Sequence, residues 1–435
     1  MPSPRRSGPS MLSEITHPRA LALLTILLLA GCEANRPALS TAPSMAAAHE
    51  EVLPAELASD PGTMDLVATS TLGEPLAGLH SEELERFAEG REEFIEEEDI
   101  EDGLGPVFNE ASCVACHNAP VGGTNGRLET RFGKFVAGKF DAMPKWGGSL
   151  MQDHGIGAIH TEHGAYNYVA EVMPPSSNVK AGRVTTPLFG LGLVDAVPDA
   201  SLLALAAQQA RFTPSTAGVA HMVTDANGAT RVGRFGWKAQ VASLHTFSGD
   251  AYLNEMGFTS PEFPNENPPQ GDMAALAYNP VPEMNDDGEG VQKFADFMTL
   301  LGPPPRGART VTTDAGSQVF RNIGCANCHT STLTTGNSPI TAISRKSFQP
   351  FSDFLLHDMG SLGDGIEQGK ASGRHMRTAP LWGLTSRPSY LHDGRAKTPE
   401  AAIMAHAGQG SAARDRFARL DSRDRYTLLA FLKSL

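Results

Sequence analysis

Two short stretches hold four of the five cysteines in this 435-residue chain. Cys113-Val114-Ala115-Cys116-His117 and Cys325-Ala326-Asn327-Cys328-His329 each spell C-x-x-C-H. At that spacing the two thiols can form thioethers with the vinyl groups of a porphyrin. The adjacent histidine then lies under the iron as its proximal ligand, because covalent attachment fixes its distance from the macrocycle. A redox-active dithiol needs one C-x-x-C in a βαβ setting and has no use for the histidine. A zinc site could draw on two C-x-x-C pairs, but these lie 212 positions apart. Every cysteine after Cys32 falls in the pattern, which favours two covalently bound haem c groups. Cys113, Cys116, Cys325 and Cys328 attach them, and His117 and His329 are axial ligands to iron.

The pentapeptides belong to a longer repeat. Val107-Phe108 precedes the first motif and Val319-Phe320 the second, at the same offset. A short helix whose aromatic residue packs on the group beside the cysteine would explain this. Two such units are too few for a solenoid. The sixth position of each iron decides between electron transfer, with two protein ligands, and chemistry on a small molecule at an open face. The remaining histidines and methionines are the candidates, most of them ordinary surface residues.

Composition bounds the rest. The formal charge of −14 argues against nucleic-acid binding, which needs basic patches, and 40% hydrophobic with 19% charged residues fits a globular chain. Arg5 and Arg6 precede the apolar run Leu21 to Ala30, which is short for a membrane span and fits a signal-peptide core. Leu29-Ala30-Gly31-Cys32 looks like a lipobox, with Cys32 as the lipidated first residue; a plain secretory leader with a chance cysteine is the competing reading. Removing residues 1–31 would leave a charge of −16. Residues 32–80 read as a flexible tether rich in Ala, Pro, Ser and Glu. Haem c assembly also takes place outside the cytoplasm, so the expected location is the periplasmic side of a bacterial membrane, the outer membrane before the inner.

Local pattern then places the elements. Ser81 can cap a helix with Leu84, Phe87, Phe94 and Ile95 at helical spacing. Residues 202–212 are a helix candidate, and Asn227-Gly228 marks a β-hairpin turn. The Pro-rich segment 301–310 is the best boundary, giving an N-terminal haem domain over 81–300 with a long insertion and a C-terminal one over 301–435. Asp421 or Ser422 can cap a last helix with Leu428, Leu429, Phe431 and Leu432 as its stripe. The expected fold is mainly α, two cytochrome c-like haem domains with long loops and a minor β-hairpin.

Beyond the haem motifs, "GRFGWKAQ", "EMGFTSPEFPNE", "FLLHDMG", "RTAPLWGL" and "YLHDGRA" resemble the di-haem oxidoreductases, a family of peroxidase-like or thiol-oxidising proteins related to the bacterial di-haem cytochrome c peroxidases. The resemblance runs from about residue 81 onward. It implies that the helix after Tyr390-Leu391-His392-Asp393-Gly394 carries the sixth ligand of the C-terminal haem. That offset lands on His406, with Met404 and Met359 as alternatives. Thr398-Pro399 suits a cap and first turn, and Ala402 and His406 share a face. His392 would then support the site from behind the ligands.

The resemblance also puts Glu255 over the distal face of the N-terminal haem, able to move a proton between peroxide oxygens. Here Asn254 and Glu255 are adjacent, where the family spaces them. Ten residues before Glu255 the peroxidases have a glutamine; this chain has His245, a hydrogen-bonding residue or an iron ligand that would close the site. Trp237 resembles the aromatic residue between the haems. The implied activity is electron transfer from a small redox protein, a cytochrome or cupredoxin, through the C-terminal haem to the N-terminal haem, where peroxide or a similar oxidant is reduced. A non-enzymatic electron relay, or oxidation of a partner protein or thiol, uses the same haems. The anionic chain would suit a cationic partner, the membrane is reached through the lipid anchor only, and the resemblance leaves room for calcium between the domains.

Overall fold

A computed structural model describes residues 67–435; Cys32, the leader and residues 32–66 of the tether lie outside the described residues. Among the described residues no helix is long and apolar enough to cross a membrane. The longer helices are α1 (Ser81–Ile95), α2 (Asp199–Phe212), α3 (Leu244–Ala251), α4 (Glu289–Leu300) and α5 (Val311–Asn322), followed near the C-terminus by α6 (Pro399–Met404), α7 (Ser411–Ala418) and α8 (Ser422–Lys433).

Helix α1 begins one residue after His80, whose N–H donates to the Glu83 carboxylate at 2.7 Å. That carboxylate and Glu82 also sit where the helix dipole favours negative charge. Phe87, Gly90 and Phe94 are its buried face, whereas Leu84 and Ile95, expected to face inward, are 43% and 47% exposed. Gly90 explains the rotation. A Cβ there would lie 2.3 Å from the Lys293 carbonyl oxygen, so α1 meets α4 backbone to backbone at this point. The Gly90→Ala variant must push the helices apart, and a cost of about 1–3 kcal/mol is expected, read as a lower thermal midpoint.

Near the C-terminus the capping chemistry works as the sequence suggests. The Thr398 hydroxyl accepts the Ala401 N–H at 3.1 Å and Pro399 opens α6. The Asp421 carboxylate accepts the Asp424 N–H at 2.8 Å and opens α8. Helix α8 buries Leu428, Phe431 and Leu432 against α5. Helix α2 starts three residues before the expected 202.

Strand content exceeds the single hairpin expected. A four-stranded antiparallel sheet is built on β1 (Leu128–Val136), with β2 (Lys139–Asp141), β3 (Leu150–Met151) and β6 (Val179–Val184) paired to it. The hairpin β4 (Gly157–Thr161) and β5 (Gly164–Tyr168) lies between β3 and β6 in sequence. These strands lack clean apolar–polar alternation; β1 buries only Phe132 and Gly133 in its nine residues. The hairpin β7 (Met222–Thr224) and β8 (Thr230–Val232) forms where Asn227-Gly228 predicts it, with Gly228 at φ +79°.

Among the described residues two large apolar clusters and one small one, Ala239, Leu356 and Ala371, support the molecule. The largest runs from Leu76 on the N-terminal side to Phe348, Phe354 and Trp382. The second joins Phe320, Phe351, Phe417 and Phe431 under α5 and α8.

Candidate functional site

Each cysteine motif sits on a 3-10 turn, Cys113–Ala115 and Cys325–Asn327. Before Cys325 the chain leaves α5 through Gly324, whose φ of +85° permits the reversal. The two motifs are entered differently. Phe320 is on α5, with its ring centroid 6.4 Å from that of His329 at 57°. Phe108, its sequence counterpart, is on a two-residue strand and stacks on His154 at 5.4 Å. Phe94 of α1 takes the matching place instead, 5.9 Å from the His117 ring at 59°. The packing repeats around both histidines even where the sequence repeat does not supply it.

The histidines share a further feature. The Nδ1 atoms of His117 and His329 lie 3.1 and 2.9 Å from the carbonyl oxygens of Gly123 and Phe351. With Nδ1–H donating there, Nε2 keeps its lone pair free for a metal. Burial pushes both imidazoles down to about 4, so both are neutral at ordinary pH. His406 follows the same rule: its Nδ1 lies 2.8 Å from the Ala402 carbonyl oxygen, and burial lowers its pKa. Among the described residues none of the four cysteines is in a disulfide. Burial raises the Cys113, Cys116 and Cys325 thiols to about 12, 11 and 12, which makes them poor nucleophiles in the folded chain.

A cavity of about 230 Å³ opens beside Cys325, Cys328 and His329, and His406, His392 and Met359 also line it. His406 lies two residues beyond the end of α6, and its charge would oppose one on His329. Met404, the alternative beside it, is 48% exposed and does not reach the cavity. His392 is buried, with its ring edge toward Trp237 at 6.2 Å. Sequence reasoning missed His357, whose Nδ1 is 3.5 Å from Cys328 Sγ and whose Nε2 is 2.9 Å from Asp353. It also missed Arg377 and Arg387, both on the cavity wall. Their hydrogen bonds go to backbone carbonyls, and among the described residues neither has a carboxylate within ion-pair distance. Arg387 Nε is buried with no partner. Buried uncompensated guanidinium groups are costly, and a ligand bringing carboxylates, such as the haem propionates, would relieve that. The mainly apolar wall, the paired thiols, a neutral imidazole and these cations fit a haem in chemistry.

The second cavity, about 180 Å³, opens beside Cys113, Cys116 and His117. Glu255 lines it from a π-turn, Tyr252–Met256, that continues α3. Gly257 ends the turn at φ +76°, and a Cβ on it would fall 2.5 Å from the Gly105 Cα, so this turn is wedged in place. Asn109 completes the mount. Its amide donates to Glu255 Oε2 at 2.6 Å and its backbone N–H to the Glu255 carbonyl at 2.7 Å. Burial, then the neighbouring Glu129 charge, raise the Glu255 carboxyl to about 7. Glu129 itself is held below its ordinary value, against the cost of burial, by Arg131, whose guanidinium donates to it at 2.9 and 3.2 Å. Asp250, also on the wall, is raised by burial. Neither Glu129 nor Arg131 carries a motif; β1 delivers them from far along the chain.

His245 is not brought to this cavity. Helix α3 turns Leu244 and Ser248 inward, and His245, one residue round the helix, is on the outer face 3.6 Å from Glu262. Gln240 lines the cavity in its stead. Trp237 borders both cavities, together with Val184, Thr185 and Gly236. Its indole N–H donates to the Val184 carbonyl at 2.9 Å. Among the described residues no cluster of three or more His, Cys, Asp or Glu could hold a metal ion, and calcium ligands are not assigned.

No curated protein matches this chain. Solved structures resemble it loosely. The hydrazine synthase of Kuenenia stuttgartiensis, studied under xenon pressure, is 14% identical over 92% of this chain and 100% of that one, with a TM-score of 0.38. A MauG-like protein associated with microbial copper homeostasis is 15% identical over 87% and 95%, at 0.36. The diheme peroxidase BthA of Burkholderia thailandensis is 13% identical over 88% and 94%, at 0.35. Overlap this loose carries no argument about the site. The family model described as "Di-haem oxidoreductase, putative peroxidase" matches residues 171–435, more than half of the chain. The chain therefore belongs to the di-haem oxidoreductase family and is an oxidoreductase.

Proposed function

We propose that this protein is a di-haem c-type peroxidase-like enzyme, lipidated at Cys32 after loss of residues 1–31 and exposed on the periplasmic side of the membrane. The observation that carries the reading is the asymmetry of the two cavities. One has a second histidine, His406, with its pKa lowered by burial, in the wall it shares with its C-x-x-C-H motif. The other has a carboxyl, Glu255, raised to about 7. Cys113 and Cys116 would hold one haem, with His117 on the iron. Cys325 and Cys328 would hold the other, with His329 and His406 as the candidate iron ligands. Iron in these groups would supply one-electron redox chemistry and, at a face without a second protein ligand, a place for a peroxide oxygen.

The chain's own residues do the rest. Glu255, ionised, would take the proton from one peroxide oxygen and return it to the other, while cleavage of the O–O bond to two waters takes two electrons from a small redox protein and two protons from solvent. Asn109 fixes its orientation, and the Glu129–Arg131 pair sets its proton affinity. Trp237 stands between the cavities and would aid electron passage from the C-terminal side, which a small redox protein reduces. Arg377 and Arg387 would hold the propionates beside His329.

Steady-state peroxide turnover by the purified di-haem protein, with a reduced small redox protein as donor, tests the reading; no turnover with any donor overturns it. Low-temperature EPR of the ferric protein is expected to show one high-spin and one low-spin haem. Arg387→Gln removes a buried positive charge, which favours the ferric state. The C-terminal haem potential is expected to fall by roughly tens of millivolts in a redox titration, with haem content unchanged.

A further inference from the structure

The charge of this chain is unevenly spread. Between Arg387 and Lys433 it carries nine Lys and Arg against five Asp and Glu, whereas the remaining residues carry 26 against 44. The acidic extreme is the segment 81–102, with twelve acids and two arginines. The basic stretch includes α6, α7 and α8. Its inner side walls the C-terminal cavity through Ala402, Ile403, His406 and Ala413. Its outer side exposes Arg395, Lys397, Arg419 and Arg423.

Pairing leaves this positive charge largely uncompensated. Arg395 pairs with Asp393, and Arg414 with Asp415. The other seven cations show no carboxylate within 4.0 Å among the described residues. Asp421 and Asp424 lie at the N-terminal end of α8, where Asp421 accepts a backbone N–H. Arg414 and Arg416 stand on the cavity wall itself. Two apolar residues break the charged surface: Met404 on α6 is 48% exposed and Tyr426 on α8 is 68% exposed, and α6 and α8 are in contact. Charged surface surrounding exposed apolar and aromatic residues is the usual make-up of a protein docking site. Complementary charge raises encounter rates and fixes orientation more than it adds affinity.

We infer that the α6–α8 face is the docking surface for an acidic redox protein, which exchanges electrons with the C-terminal site across the wall that carries His406. This rests on the reading that the C-terminal cavity holds a haem and is where electrons enter. It reverses the expectation from total charge, which pointed to a cationic partner. The acidic surface belongs to α1, far along the chain, and the charged residues walling this cavity are basic.

The test uses the full di-haem protein, fully reduced and mixed anaerobically with either oxidised plastocyanin, an acidic copper protein, or oxidised mitochondrial cytochrome c, a basic one. Haem oxidation is followed by stopped-flow absorbance from low to high ionic strength. The plastocyanin rate is expected to fall about tenfold or more as salt rises, in the range of electrostatic steering. In the exposed-surface variant R419E/R423E the low-salt plastocyanin rate should fall by a similar factor, and the cytochrome c rate should stay level or rise. Haem content and thermal midpoint, unchanged in that variant, show that it folds. A plastocyanin rate insensitive to both salt and R419E/R423E overturns the assignment. So does cosedimentation of the wild type, but not the variant, with phosphatidylserine-containing vesicles while the plastocyanin rates stay equal; the face would then meet lipid. If the rates behave as expected and peroxide is not turned over, the docking surface stands and only the peroxidase reading falls.

Discussion

If Glu255 is the acid–base group of a peroxidase, as proposed, Glu255→Gln is expected to lower kcat/KM for peroxide by about 10²–10⁴-fold and to leave the spectra of both haems unchanged. The glutamine keeps the shape of the side chain and a partner for Asn109, so the loss reports proton transfer. The pH profile gives the sharper measurement. A carboxyl raised to about 7 is protonated below that value and ionised above it. The group must start ionised to accept the peroxide proton, so kcat/KM rises through pH about 7 and levels above it. Glu129→Gln removes one of the causes of the raised value and leaves Arg131 without its bidentate partner. Both changes favour ionised Glu255. The midpoint of the profile should move down by about one unit or more, as expected for charges a few ångströms apart. A flat profile, or one unmoved by Glu129→Gln, would show that a different group handles the proton.

With His406 as the proposed ligand, His406→Ala is expected to abolish the low-spin signal of one haem in the ferric EPR spectrum, and His406→Met to retain it with a changed potential. Thioether ligation favours the ferrous state relative to imidazole. The midpoint potential of the C-terminal haem should therefore rise by roughly 0.1 V or more, within the ~0.8 V span that axial ligands command. The expectation rests on placement: His406 lines the cavity with a free Nε2, and Met404 points to solvent. An unaltered spectrum in His406→Ala would move the ligand to Met359, which lines the same cavity.

The di-haem family was legible from the two C-x-x-C-H units because such a motif is contiguous in sequence. Helix ends were legible for a similar reason: Thr398-Pro399 and Asp421 act on backbone groups two or three positions away. The turn at Asn227-Gly228 is equally local. What escaped was assembled across the chain. Glu129 and Arg131 share a cavity with Glu255 because β1 carries them there, and β1 has no alternation that announces a strand. Phe94, the structural counterpart of Phe320, comes from α1 and not from the Val-Phe repeat. His245 failed for the opposite reason. An offset of ten residues says nothing about direction when a π-turn interrupts the helix, and α3 turns that side chain outward. Arg377 and Arg387 drew no notice because a lone arginine in a sequence reads as surface; only burial without a counter-charge makes it a signal.

Asn109 lies four residues before Cys113 and, besides holding Glu255 by side chain and backbone, accepts from Arg127 and His154 and fixes the Asp153 N–H. The acid–base group is thus anchored to the segment that leads into the attachment motif. A displacement of Cys113 would be transmitted to Glu255 through only a few bonds, with little slack to absorb it. If Glu255 moves a proton as proposed, the segment that leads into Cys113 also fixes where that proton is held, so a change in the Asn109–Cys113 stretch would be felt at both places.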